Sequence, residues 1–186
     1  MEYAIRYVYD PDTSEQFDAQ EVFKYRELAY AFRKEFHAND QRLLCCVCDE
    51  RATISLGSKG RMHFKHFPNT PDCDLKDGSY TRAERKLIEE HYANKERPRH
   101  KVLKQAIGNF LSATEGVDAN SIYIDNKFLR DKREKRRPDV LCNFNGKKIA
   151  FEIQLSTLPP KYIFKRHEFY KRNEIYLVWI LDDFDP

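Results

Sequence analysis

No run of apolar residues in this chain approaches the roughly 20 needed to cross a bilayer. The opening Met1-Glu2-Tyr3-Ala4-Ile5-Arg6 also lacks a signal-peptide pattern. A soluble cytoplasmic protein with no membrane partner is the expectation. Charge of one sign is lacking too. Against 33 lysines and arginines stand 30 aspartates and glutamates, so the net charge is only +3. A nucleic-acid surface can therefore arise only where basic residues cluster. There is no internal repeat and no low-complexity segment. Cysteines are few and odd in number, and four of the five lie between Cys45 and Cys73. An odd count, a Cys45-x-x-Cys48 spacing and no secretion signal argue for metal ligation rather than disulfides.

What is present can build a core. Of 186 residues, 41% are hydrophobic and 13% aromatic, enough for one domain or a domain plus a small module. Tyr3 to Tyr9 predicts a strand and Asp10-Pro11-Asp12 a turn. From Asp18, a candidate cap, to Phe36, the spacing of Val22, Tyr25, Leu28, Ala29, Phe32 and Phe36 predicts one helix. A short Cys/His-rich block from Leu43 to Leu75 contains a hairpin, Ala52 to Leu56 against Arg61 to Phe64. Thr81 to Glu96 predicts a charged helix. Pro98 suits the first turn of another, which runs to about Ala113 with Leu103, Ala106, Ile107, Phe110 and Leu111 on one face. Gly116 is its terminator. Ser121 to Ile124 predicts a strand, 139–155 a hairpin, Lys161 to Arg172 a helix, and Ile175 to Leu181 a buried strand. The chain divides into an N-terminal region, 1–78, and a second domain, 79–186.

The Cys/His block reads as a small zinc-ribbon-like module. Cys45 and Cys48 form a thiolate knuckle, and the following hairpin supplies the rest. The expected Zn²⁺ set is Cys45, Cys48, His66 and Cys73, with His63 as the alternative to His66. Cys46 is adjacent to Cys45 and cannot easily join the same centre. Four ligands close the site, which makes it structural. Packed, reduced cysteines are the competing reading, and Cys142 is expected in the core.

The most informative stretch runs from Arg137 to Gln154. Asn145-Gly146 favours a type I′ turn and sets the register of its strands. Phe144 then faces Lys147, and counting outward puts Asp139 opposite Glu152, with Gln154 on the Glu152 face. Two carboxylates that close repel unless a proton or cation lies between them, which suggests a divalent-metal site. Two solvated acids at the open end of a hairpin are the competing reading.

From Pro98 the order helix, strand, strand, strand, helix, strand resembles the restriction-endonuclease-like fold of the PD-(D/E)xK nucleases. Pro138-Asp139 resembles that family's Pro-Asp, and Glu152-Ile153-Gln154 its (D/E)-x-K, with Gln in place of Lys. Glu152-Ile153-Gln154-Leu155-Ser156, Arg166-x-x-x-Tyr170 and Val178-Trp179-Ile180-Leu181 more closely resemble the competence CoiA-like nuclease family. So do Cys45-x-x-Cys48, His63-Phe64-Lys65-His66 and His100-x-x-x-Lys104. The resemblance implies an α/β (α+β) fold: a mixed sheet flanked by helices, preceded by the zinc module. It implies metal-dependent phosphodiester hydrolysis, with DNA favoured over RNA. Asp139 and Glu152 would hold Mg²⁺ or Mn²⁺, and Gln154 would orient water or hydrogen-bond the phosphate. His100 and Lys104, one turn apart, would point toward the acids, although a solvated face is the plain alternative. Arg166 and Tyr170 would contact the DNA backbone, unless Tyr170 is core with Arg166 lying over it.

A basic run, Lys127, Arg130, Lys132, Arg133, Lys135, Arg136 and Arg137, leads into Pro138-Asp139. Its position makes Arg133, Arg136 and Arg137 candidates for phosphate contact, against the usual solvated loop. The leading expectation is a Mg²⁺/Mn²⁺-dependent deoxyribonuclease. The alternative is a non-cleaving nucleic-acid-binding or defence-associated recruitment module on the same fold. A homodimer or a larger-protein setting is compatible with either.

Overall fold

The structure is a computed structural model. It describes residues 5–58, 60–68, 70, 73–76, 78–94, 98–132 and 134–181. The chain forms two compact units, Met1–Glu89 and Glu90–Pro186. Among the described residues, no helix is long and apolar enough to cross a membrane. The protein is a mixed α/β chain with several sheets and, among the described residues, five α-helices.

In the first unit β1 (Tyr7–Tyr9) and β2 (Gln16–Asp18) lead into α1 (Ala19–Val22) and α2 (Arg26–Ala38). Then come β3 (Leu43–Cys45), β4 (Arg51–Leu56), β5 (Met62–His66), a 3-10 turn at Asp74–Lys76 and α3 (Arg82–Asn94), whose residues from Glu90 onward, His91 and Tyr92 among them, belong to the second unit. The five strands form an antiparallel sheet in the order β2-β1-β3-β4-β5. Ile5, just ahead of β1, bridges Phe64 on β5, which closes β1, β3, β4 and β5 on one another. Strand alternation puts Leu43, Cys45, Ala52, Ile54, Phe64 and His66 on one face, and all six are buried.

The single helix predicted from Asp18 to Phe36 is two helices. Asp18 caps the first, accepting from Gln20 N at 2.8 Å. Phe23 and Phe32 lie nine residues apart, about 180° around a continuous helix. Both must reach Phe64, with ring centroids 4.7 and 6.1 Å away, so the helix breaks between them. Tyr25 and Leu28, predicted on the apolar face, are 58% and 52% exposed. At α3, Thr81 and Glu84 form a reciprocal capping box, with N–H to side-chain distances of 2.7 and 3.2 Å. The start of the strand predicted from Tyr3 lies outside the described residues.

In the second unit α4 (Pro98–Ser112) is followed by a 3-10 turn at Ala119–Ser121 and β6 (Tyr123–Ile124). A small hairpin, β7 (Leu129–Arg130) and β8 (Lys135–Arg136), precedes β9 (Val140–Phe144) and β10 (Lys147–Gln154). The chain continues through α5 (Pro160–Arg172) to β11 (Tyr176–Leu181). The four-stranded sheet is mixed, in the order β11-β10-β9-β6. β6, β9 and β10 are antiparallel, and β11 runs parallel to β10 after the α5 crossover. Asn145 and Gly146 have φ of 47° and 76°, the left-handed pair a type I′ turn requires. Alternation on β9 sends Val140 and Cys142 into a cluster with Leu111 of α4. Leu141 packs instead with Ala150 and with Phe169 and Tyr170 of α5. The two helices therefore cover opposite faces of the sheet.

The strand predicted at 121–124 is shorter, because Asp118 captures Asn120 N at 3.0 Å and winds 119–121 into a 3-10 turn. β11, predicted buried, is an edge strand with Tyr176 and Leu181 56% and 48% exposed. Its apolar run signalled a buried strand, but only one side of it has a neighbour in the sheet. Gly116 (φ 86°) turns the chain after α4, and its carbonyl accepts from Asn145 N at 2.9 Å. A Cβ there would lie 2.8 Å from Asn145 Oδ1. Gly116→Ala is expected to lower stability in urea by about 1–2 kcal/mol, the cost of the left-handed conformation; an unchanged midpoint would contradict this.

Candidate functional site

The Cys/His cluster is assembled by strand register. Leu44 pairs with Arg51 and Ala52 with His66, so the end of β3 and the end of β5 flank the start of β4. Cys45 closes β3, and Cys48 lies in the turn that follows. His66 closes β5, and Cys73 precedes the 3-10 turn. One ligand atom from each of Cys45, Cys48, His66 and Cys73 lies within 4.8 Å of every other. Cys48 Sγ is 3.3 Å from His66 Nε2. His63 is excluded because it is three residues from His66, an odd step on a strand, and so lies on the other face. Cys46 is buried and accepts from Gln16 Nε2 at 3.5 Å, outside the cluster. Cys142 is core.

Crowding of three sulfurs away from water sets their charge. Hydrogen bonds from Cys45 and Cys73, with His66 beside it, hold the Cys48 thiol far below its ordinary range. Burial, then Cys48, pushes Cys45 well up. Cys73 is pulled down by its bond with Cys45, but Cys48 and burial leave it well above the ordinary value. Three sulfurs this close in a buried space disfavour more than one negative charge; a cation at the centre would allow all three to ionise.

At the open end of the β9–β10 hairpin the register is as counted. Pairing runs from Lys147–Phe144 to Phe151–Val140, so the next pair outward is Glu152 with Asp139. Asp139 lies just before the start of β9, where strand alternation no longer governs its side chain. Its Oδ2 accepts from Ile153 N at 2.8 Å and stands 3.5 Å from His100 Nε2 of α4. Glu152 instead engages α5. Arg166 donates to its Oε1 at 2.7 Å, and Tyr170 donates to the same oxygen. Asp139, Glu152 and Arg166 are 0–2% exposed. The acids therefore turn toward side chains of different helices, and the cation beside Glu152 is a guanidinium. Their side chains diverge from the register position at which a divalent cation between them is expected. The same contacts place Arg166 and Tyr170, four residues apart on one helix face, inside the fold rather than on a DNA-facing surface.

Arg166 is held by more than the acid. Tyr92 Oη accepts from it at 2.7 Å, Tyr162 Oη also accepts, and the two tyrosine hydroxyls are 2.6 Å apart. Burial works against the Arg166 charge, but Glu152 and these hydroxyls outweigh it and raise its pKa well above the ordinary value. Burial and the Glu152 charge push the Tyr170 phenol well up, so it stays protonated and donates. Gln154 Nε2 donates to Ser156 O, and Ser156 Oγ is 3.1 Å from His91 Nδ1. Lys104 is buried and bonded at 2.6 Å to Asp125. Asp125 also takes Arg137 Nε at 3.3 Å, and its N–H donates to Asp139 O at 2.9 Å.

Of the predicted phosphate contacts, Arg136 is buried and paired with Glu134 at 2.7 Å. The β7–β8 hairpin folds it inward, which corrects that assignment. Arg137 is half-buried against Asp125, and Arg133 lies outside the described residues. Sequence reasoning missed Asp125 and Tyr162. Asp125 follows a strand only two residues long, and its left-handed backbone (φ 52°) leaves no periodic trace. Tyr162 stands four residues before Arg166, a spacing that could have flagged it.

Fold and sites together define a mixed α/β protein with a Cys₃His cluster in its first unit and a buried, charge-balanced acidic hairpin in its second. Residues 83–186 match the family model described as Domain of unknown function (DUF6035), and residues 14–80 match a second, Domain of unknown function (DUF7830). The first match covers more than half of the chain, which belongs to the DUF6035 family. No curated protein matches the chain.

Proposed function

We propose that the second unit is a metal-dependent nuclease domain with a restriction-endonuclease-like core, acting on DNA in preference to RNA, and that the first unit carries a structural zinc. The observation that carries the nuclease reading is His100. It is 2% exposed, and neither ring nitrogen has a hydrogen-bond partner among the described residues. A buried, unsatisfied imidazole 3.5 Å from a buried carboxylate calls for an ion or a water. Asp139 and His100 would hold such an ion, with Glu152, which is engaged by Arg166 and Tyr170, as the second carboxylate to be recruited. Mg²⁺ takes one or two protein carboxylates, waters and substrate phosphate oxygens, and a nitrogen donor favours Mn²⁺ over Mg²⁺. When bound, the ion would activate water and polarise the scissile phosphate. The chain's own residues do the rest. Arg166 and Tyr170 orient Glu152 through Oε1, and the Ile153 amide orients Asp139 through Oδ2. Gln154 can hydrogen-bond a water or phosphate oxygen but, as a neutral amide, brings no charge. In the four-stranded sheet and its helices, the order α4, β6, β9, β10, α5, β11, with β11 parallel to β10, supports the same reading.

The zinc reading rests on the donor set. Three thiols and an imidazole gathered within 4.8 Å suit tetrahedral Zn²⁺, and four protein ligands leave no position for chemistry.

A second reading, a nucleic-acid-binding or recruitment module that does not cut, is favoured by the engagement of Glu152 with Arg166 and Tyr170. Incubation of plasmid, linear and single-stranded DNA with Mg²⁺ or Mn²⁺ decides between them. Wild type is expected to cleave, best with Mn²⁺. Asp139→Ala is expected to lose more than about 100-fold, since even outer-shell partners of a metal are worth about 10- to 100-fold. DNA retained on wild-type protein and never cut would select the second reading.

A further inference from the structure

The outer face of α2 lies in the first unit and takes no part in the site proposed above. Only Ala29 of this helix is buried. Successive residues turn by about 100°, so Arg26, Tyr30, Arg33, Lys34 and His37 fall within about 100° of arc, along roughly 16 Å of helix. Arg26, Tyr30, Lys34 and His37 are exposed, and Arg33 is half-buried. The acids of the helix, Glu27 and Glu35, lie outside that arc. Among the described residues no carboxylate pairs with Arg26, Arg33 or Lys34. A chain with a net charge of only +3 thus concentrates on one helix stripe cations that form no ion pair among the described residues.

An aromatic ring is set among them. Tyr30 is 45% exposed, with the Arg26 guanidinium 5.6 Å from its centroid. Guanidinium groups match phosphate oxygens in bidentate geometry. An exposed ring between cations offers a π-face to an unstacked base, a feature of single-strand binding grooves. An acidic polypeptide would use the charges but has no base to place on the ring.

We propose that this stripe binds single-stranded nucleic acid, with Arg26, Arg33 and Lys34 on phosphates and Tyr30 stacked on a base. The binding does not depend on cleavage at Asp139, so the two readings can fail separately. The test is fluorescence anisotropy of a labelled single-stranded DNA oligonucleotide with the full chain, across a salt series and without added Mg²⁺ or Mn²⁺. The Arg26→Gln/Arg33→Gln/Lys34→Gln variant is compared with a control, Lys147→Gln/Lys148→Gln/Lys171→Gln. Both changes lower the net charge from +3 to zero at surface positions. For three lost phosphate contacts the α2 variant should show a log–log salt slope shallower by about 2, and the control a slope close to wild type. Tyr30→Ala should weaken binding about 5-fold or more with the slope unchanged. Equal behaviour of the α2 variant and the control, a silent Tyr30→Ala, or displacement of the DNA by poly-glutamate as efficient as by unlabelled DNA would each overturn the proposal.

Discussion

Stripping the metal from the Cys₃His centre is expected to unfold the first unit. The cluster joins the ends of β3 and β5 to the turn carrying Cys48 and to Cys73, so four chain segments meet there. Without a cation, three sulfurs and an imidazole crowd a buried space in which only one sulfur readily bears charge. With Zn²⁺ all three ionise, and the binding energy becomes folding energy, about 10–16 kcal/mol in zinc-finger peptides. That is comparable to the roughly 5–15 kcal/mol of a typical whole domain. Purified protein should hold about one zinc per chain. Cys48→Ser and His66→Ala should lose the metal together with hydrogen-exchange protection of β3, β4 and β5. Cys46→Ser and His63→Ala should keep both. Zinc-free wild type with full protection in those strands would refute the assignment.

Arg166→Met is expected to cost about 3–5 kcal/mol, because it leaves the Glu152 carboxylate buried without its cation. The buried pair is not itself a large net source of stability; the penalty comes from breaking one half of it. Arg166→Met/Glu152→Leu, which removes both charges, should therefore recover most of the loss. Arg166→Lys should rescue only in part. An ammonium is a point charge without the planar fork that here reaches Glu152, Tyr92 and Tyr162. Urea denaturation of the four proteins measures this. Equal midpoints for Arg166→Met and wild type would mean that Glu152 takes up a proton or water at no cost, against the geometry found.

These two results bear on different parts of what could be read from the chain. The hairpin at 139–155 was legible because Asn145-Gly146 admits one turn type and strand pairing is local; counting from it leads to the Asp139–Glu152 pair. The ligands of the Cys/His cluster were legible as residue types, since Cys45-x-x-Cys48 is a local knuckle. The break between α1 and α2 was not legible. It is imposed by Phe64, more than thirty residues away, which both Phe23 and Phe32 must meet. Arg166 could be placed on a helix face with Tyr170, but nothing local said whether that face met DNA or the sheet.

Short-range rules thus determined the elements, the hairpin register and the donor types, because turn conformation, alternation and helical spacing act within a few residues. Only the tertiary structure decided the rest. It chose His66 over His63 by the face of the sheet that His66 shares with Cys45. It gave Glu152 the guanidinium of Arg166 and set Asp139 beside His100. It also drew Arg136 inward to Glu134 while leaving Arg26 and Arg33 of α2 without acidic partners among the described residues. Each of these is a matter of which side chain desolvates against which, and burial is a property of surfaces that meet only when the chain has folded.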